Sequence, residues 1–346
     1  SLGLAERATA ESPVRARLQD AKPQDQKVHK HFRHHSGHHS LERSKREAKG
    51  HGRGLGNHRF SGSSPFASSA PAPATEVAGF DGIDQYAALV DPPDGAIAVS
   101  RTHVVEVTNS NLSVWAKTYD QTGRLSAVRN TISAADLNAF LGQNPSCYSG
   151  ANRFYGLVSD PSVDYDLAQD RFMVAMISFD ALALTSSLCV AVTETGDPAG
   201  NWFVYAFPMP GSSLLDFPRG VTGSDGHIYI AGNFFTFNQF GQETFVSARV
   251  YALKTIDLYA GINTVPSMAV VGNDPGTGTP ADSLTPARAV GVPGMYFVSA
   301  SNPEAPALGS AVTLWKWSDP FGASVLTRQG SVAVSSYTQP PPGIQL

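Results

Sequence analysis

The sequence predicts an all-β protein: a β-propeller of four to five recognisable blades, preceded by a disordered, basic N-terminal tail. Three observations lead there. From Asp91 onward, short runs rich in Val, Ile, Phe and Tyr alternate with clusters of Asp, Gly, Ser, Asn and Pro, the punctuation of antiparallel strands. These runs come in groups whose starts, Asp94, Asp160, Asp216 and Thr285, recur at comparable intervals. Repeats of that length with three or four strands describe propeller blades better than sandwich hairpins. Finally, one stretch alone reads as a helix, Ser133–Leu141, with Ser133 placed to cap it.

Residues 1–79 form the tail. Positions 1–60 hold 13 Lys/Arg against 6 Asp/Glu and 8 of the 10 histidines. Few aromatic or β-branched residues accompany them, so the segment cannot bury enough apolar surface to offset chain entropy. Residues 2–22 read at most as a transient helix. The His-rich run at 29–39 has two readings, a low-complexity spacer or a loose metal binder, and nothing in it fixes a ligand geometry. Arg43-Ser44-Lys45-Arg46 carries the R-x-K-R pattern cut by processing proteases of the eukaryotic secretory pathway. A Ser/Ala/Pro linker at 61–75 follows, and order is expected from Phe80.

The body, 80–338, has the opposite charge: positions 61–346 hold 12 Lys/Arg against 23 Asp/Glu. Such a surface argues against nucleic acid as partner, because phosphate binding needs clustered cations. No run reaches the roughly 18 apolar residues of a membrane helix. The N-terminal stretch lacks the three regions of a signal peptide, so a secreted protein would here begin at its mature end.

The first blade is expected to place strands at 96–99, 103–108 and 112–117, and the second at 171–178, 187–193 and 202–208. An Asn closes the second strand of three units, Asn109, Asn233 and Asn302, and the next strand carries a bulky Trp115, Tyr251 or Trp315. A last strand set at 324–335 counts as half a blade before a Pro-rich end, 339–346. Four and a half blades, an awkward number for a closed ring, point to a fragment or a processed product of a longer chain. The two cysteines, Cys147 and Cys189, are expected to form one disulfide.

Four stretches carry a resemblance: PPDGAIAVSRTHVVEVTN from Pro92, DPSVDYDLAQDRF from Asp160, LCVAVTETGDPAGNW from Leu188 and DFPRGV from Asp216. Together they resemble the running motifs of a broad group of secreted, propeller-like proteins, over roughly Val90 to Ser335. Ser100 stands where that group often has Gly, and Phe172 where it has Trp. The group shares no single activity, so the resemblance implies secretion and a propeller but no particular reaction.

If the units are blades, Asp94, Asp160 and Asp216 share one face near the axis. That would make an acidic mouth able to hold Ca²⁺ through oxygen ligands, orient a polar ligand, or supply paired carboxylates for sugar chemistry. Asp164, Asp166 and Asp170 crowd the same region. The competing reading is that an Asp beside Pro or Gly simply caps a turn. Arg219, Asn109 and Asn233 complete the ligand-binding candidates. His103 and His227, the two histidines of the body, read as solvated turn residues, which leaves no Ser-His-Asp triad. Asn233–Phe245 holds five phenylalanines, either an inter-blade core or a platform for sugar rings or a partner. Asn111-Leu-Ser113 is a glycosylation sequon in a turn expected to be accessible. These features point to a secreted or cell-surface propeller that binds glycan or protein, with a polysaccharide lyase or hydrolase as the alternative.

Overall fold

Seventeen strands and two short helices make up the described residues of a computed structural model: 12–21, 79–84, 93–147, 156–180, 183–239, 241–288, 294–300 and 309–337. Four antiparallel sheets follow one another in sequence order. Blade 1 holds β2 (Ala96–Val99), β3 (His103–Val107), β4 (Asn111–Tyr119) and β5 (Leu125–Asp136). Blade 2 holds β6 (Gly156–Asp166), β7 (Arg171–Asp180), β8 (Thr185–Thr193) and β9 (Asn201–Pro208). Blade 3 holds β10 (Ser213–Thr222), β11 (His227–Phe237), β12 (Glu243–Lys254) and β13 (Ser267–Val271). Blade 4 holds β14 (Thr285–Ala287), β15 (Met295–Ala300), β16 (Gly309–Ser318) and β17 (Val325–Tyr337).

Each blade is an up-and-down meander, and the cores lie between blades. Val105, Val107 and Val114 of blade 1 pack on Phe172, Val174 and Met176 of blade 2. The opposite face of blade 2, with Met173, Val190 and Tyr205, packs on Ile228, Ile230 and Leu253 of blade 3. Tyr229, Val250 and Ala252 of blade 3 then meet Phe297, Trp315 and Trp317 of blade 4. Alternating strand residues therefore serve two different cores, which explains why β7, β8 and β11 read as unbroken apolar runs. The same face meeting the next blade at every step is a rotation about an axis, the geometry of a propeller. The innermost strands β2, β6, β10 and β14 are neighbours in that order. Trp115, Tyr251 and Trp315 are each buried at matching places on their third strands.

Several expectations need correction. The stretch 324–335 is not half a blade but the outer strand β17 of blade 4. The helix begins later, as α1 (Leu137–Leu141), and Asp136 caps it by accepting the Ala139 N–H at 3.0 Å. The residues before it continue β5, because β4 offers them a ladder as far as Asp136. A second short helix, α2 (Thr255–Tyr259), follows β12.

The tail is not structureless throughout. Val14–Arg17 forms β1, neither helix nor coil, paired antiparallel with β9 at the outer edge of blade 2. Ala16 and Leu18 are each only 1% exposed within the core of blades 1 and 2, apolar burial that overall composition hides. The rest of the tail, including the His-rich run and Arg43, Lys45 and Arg46, lies outside the described residues.

Asn111 is buried, and its Nδ2 donates to Ser110 Oγ at 2.9 Å. The turn shared with β3 is tucked inward, so the accessible acceptor expected there is not what the fold presents. Cys147 and Cys189 are joined in a disulfide with Cα atoms 5.6 Å apart, and no described helix is long and apolar enough to cross a membrane.

Candidate functional site: the axial mouth

Asp94, Asp160 and Asp216 do converge, through a device that repeats from blade to blade. At the inner strand of each blade one residue has a left-handed backbone: Asp94 at φ 46°, Asp160 at 56°, Phe217 at 53° and Ser283 at 50°. Asp160-Pro161 and Phe217-Pro218 are bulges, where the pairing of β6 with β7 and of β10 with β11 breaks register. The bulge turns that residue's N–H away from its own sheet. An orphan donor there costs free energy unless a partner is found, and for Asp160, Phe217 and Ser283 the partner comes from a side chain of the preceding blade.

Asn109 Oδ1 of blade 1 accepts the Asp160 N–H at 2.8 Å. Asn233 Oδ1 of blade 3 accepts the Ser283 N–H at 2.8 Å. Opposite the Asp160 bulge β7 carries Ile177, with no carboxamide. There Asp160 itself acts, its Oδ2 accepting the Phe217 N–H at 3.0 Å. Asn109 and Asn233 are therefore latches between blades. Asn233 is only 9% exposed, and it turns its carboxamide to Ser283.

The same latches bring the carboxyl groups together. Asn109 Nδ2 donates to Asp94 Oδ2 at 3.0 Å, so one carboxamide spans Asp94 and the Asp160 backbone. Ser159 Oγ donates to Asp160 Oδ1 at 2.8 Å. Asp216 shares a hydrogen bond with the Asp160 carboxylate. Burial first, and then that negative neighbour, push the Asp216 carboxyl up to about 7. Arg219 faces all three carboxyls, lies 3.6 Å over the ring of Phe217 and donates to Pro161 O at 3.4 Å. Desolvation lowers its proton affinity while the three carboxylates raise it.

Deeper along the axis, Asp164 of β6 accepts the Thr222 N–H and hydroxyl of β10 at 2.7 and 2.8 Å and pairs with Arg288, which lies just beyond β14. One carboxylate so ties three inner strands. Asp166 and Asp170 follow the bland reading: Asp166 caps the Ala168 and Gln169 amides, and Asp170 accepts the Tyr165 hydroxyl at 2.7 Å. Among the described residues no group of three His, Cys, Asp or Glu is arranged to hold a metal. Arg219 faces the crowded carboxyls, and burial together with Asp160 raises the proton affinity of Asp216.

The two body histidines are partly buried. His103 lies 3.7 Å from Asp197, and burial lowers its pKa. His227 stacks 5.1 Å from Phe321 and lies 3.3 Å from Asp225. The phenylalanine hairpin serves the inter-blade core. Phe234 is buried there, and Phe237 meets Phe179 of blade 2 at 5.5 Å, while Phe240 lies outside the described residues. Sequence reasoning missed Ser283 and Arg288. Ser283 lies two residues before the fourth start, Thr285, and carries no Asp; no signal marks Arg288.

No family model matches the sequence, and no curated protein does. Solved structures match at low identity. An N-acetylgalactosamine deacetylase from F. plautii, in complex with blood group B trisaccharide, aligns over 72% of this chain and 71% of that one, at 12% identity and a TM-score of 0.39. A GH43_1 enzyme from Xanthomonas citri aligns over 69% and 73%, at 15% identity and 0.37. Native Bacillus subtilis arabinanase Arb43A aligns over 67% and 74%, at 12% identity and 0.36. Likeness at this level does not extend to activity, and the propeller assignment rests on the four sheets and their three shared cores.

Proposed function

We propose that this propeller acts on glycans at its axial mouth, outside the cell or on its surface, with Asp216 as the proton donor. One arrangement carries the reading: the Asp216 carboxyl, pushed up to about 7 by burial and then by Asp160, beside that carboxylate and the Arg219 guanidinium at the axis. A general acid works best with a pKa near the working pH, and burial beside a like charge is how a carboxyl reaches one. Cleaving a glycosidic bond also takes a second carboxyl, roughly 5–9.5 Å from the first. Asp160 is hydrogen-bonded to Asp216, too close to flank a bond, and its oxygens already hold Ser159 and Phe217. Asp94, exposed at the same mouth and linked through the Asn109 carboxamide to the Asp160 backbone, would take that role. Arg219 would bind hydroxyl or carboxylate oxygens of the sugar. The disulfide fits an oxidising compartment.

A second reading has its own support. Asp160, Asn109 and Asn233 are all engaged in holding blades together, as in a scaffold that binds glycan or protein without turnover. A polysaccharide panel, read for new reducing or unsaturated ends and for binding, separates the two. Turnover that falls about 10²–10⁴-fold in Asp216→Asn supports the enzyme. Binding without turnover supports the module, and neither binding nor turnover on any glycan removes the glycan reading altogether.

A further inference from the structure

Strand β1 is joined to the body by more than its peptide chain. Val14, Arg15, Ala16 and Arg17 pair in turn with Val204, Phe203, Trp202 and Asn201 of β9. Side chains alternate as a strand dictates. Ala16 points into the core of blades 1 and 2, and Leu18, in the 3-10 turn that follows, is buried with it. Arg15 and Arg17 point outward. Arg15 donates to Glu194 Oε2 at 3.0 and 2.7 Å, and Arg17 Nε donates to Asn201 Oδ1 at 2.6 Å. Gln143, beyond α1, closes both sides of the Arg17 backbone, accepting its N–H at 3.3 Å and donating to its carbonyl at 3.1 Å. Asn263, past α2 of blade 3, donates to Ser12 Oγ at 3.4 Å.

The segment 12–21 so touches three blades. Its last residue, Ala21, lies well upstream of the Arg43-Ser44-Lys45-Arg46 motif. A cut after Arg46 would break the chain and none of these contacts.

We infer that the outer edge of blade 2 is a binding site for an extended basic peptide, filled by residues 12–21, and that this peptide stays bound after the chain is cut at residues 43–46. Proteolysis there would yield a two-chain particle and release nothing. The recognition is strand addition: main-chain bonds along an open sheet edge supply affinity, and pockets for alternate side chains supply selectivity. The pockets specify a small residue at 16, an aliphatic one at 18 and cations at 15 and 17. Without β1, β9 would offer an unpaired edge to any other strand.

The test uses the full chain with residues 43–46 replaced by the site of a sequence-specific protease. Cleavage is driven to completion on a denaturing gel, and the product is run on native size exclusion with mass spectrometry of each peak. The N-terminal fragment is expected in equimolar amount with the body, at the mass of one chain. A fragment eluting by itself overturns the inference. The same cut in Leu18→Asp should release the fragment, and its retention there would equally overturn it. Should Leu18→Asp not fold, Arg15→Glu serves instead: retention falls at low salt and returns in Arg15→Glu with Glu194→Arg. Loss in the single variant that the charge swap does not restore refutes the selectivity.

Discussion

Replacing Asp216 by Asn should stabilise this protein, by an amount that depends on pH. The Asp216 carboxyl is raised from its ordinary 3.8 to about 7, by burial and then by Asp160. At 1.36 kcal/mol per pKa unit, holding it ionised in the fold costs at most about 4 kcal/mol. The open side of the mouth and the proton shared with Asp160 bring this to about 2 kcal/mol. The folded group binds its proton more tightly than the unfolded one, so folding takes up a proton between about pH 4 and pH 7. Wild-type stability from this group is therefore full below pH 4, falls as pH rises to 7, and is level above. A carboxamide keeps the contact to Asp160 and escapes the cost. Asp216→Asn should gain almost nothing at pH 4 and melt about 4–8 °C higher at pH 8, taking about 2–4 °C per kcal/mol for a body of this size. Calorimetry of both proteins from pH 4 to 8 measures the difference. A gain equal at both ends, or a loss at pH 8, would refute the placement of a buried, proton-holding carboxyl at this mouth.

Three further outcomes follow from the same geometry. Asn109→Ala removes the acceptor of the Asp160 N–H and should cost about 1–3 kcal/mol, seen as a lower urea midpoint with an unchanged slope. Arg219→Met takes away the cation that faces three carboxyls, so Asp216 should titrate higher still; carboxyl chemical shifts followed from pH 5 to 9 report it, and an unmoved titration would show that Arg219 is not their counter-charge. Thiol labelling of the denatured, unreduced chain should find no free cysteine, and Cys147→Ser with Cys189→Ser should lose about 4 kcal/mol, the loop entropy of a bridge across 42 residues.

Much of the fold is legible because strands leave local marks. Ala96–Val99 can be bounded to the residue, since a β-rich run ends in Ser100-Arg101-Thr102, where the chain turns back. Spacing brings Asp94 and Asp160 to equal positions, each with a left-handed backbone, whereas in the third blade that position is Phe217 and Asp216 reaches the mouth as the residue before it. Roles are harder to read than positions. Asn109 and Asn233 stand out by recurrence, yet their partners are backbone groups a whole blade further along the chain, which no local pattern shows. Val14–Arg17 escapes notice because its pairing partner, in β9, lies beyond the whole of blade 1 and its surroundings are polar. Ser133 looks a better helix cap than Asp136; the ladder with β4 outweighs that local preference.

The latches have a direction. In each, the side chain that accepts belongs to the earlier blade and the N–H that donates to the later one: Asn109 to Asp160, Asp160 to Phe217, Asn233 to Ser283. A ribosome adding about 5–20 residues per second delivers the acceptor first, already mounted on a finished hairpin, and the donor several seconds later. Each new blade thus arrives to a fixed anchor and never has to wait for one. Asp160 serves two joints with different groups, its N–H donating back to Asn109 and its carboxylate accepting the Phe217 N–H of the next blade. Which atom each blade contributes follows the order in which the blades are synthesised.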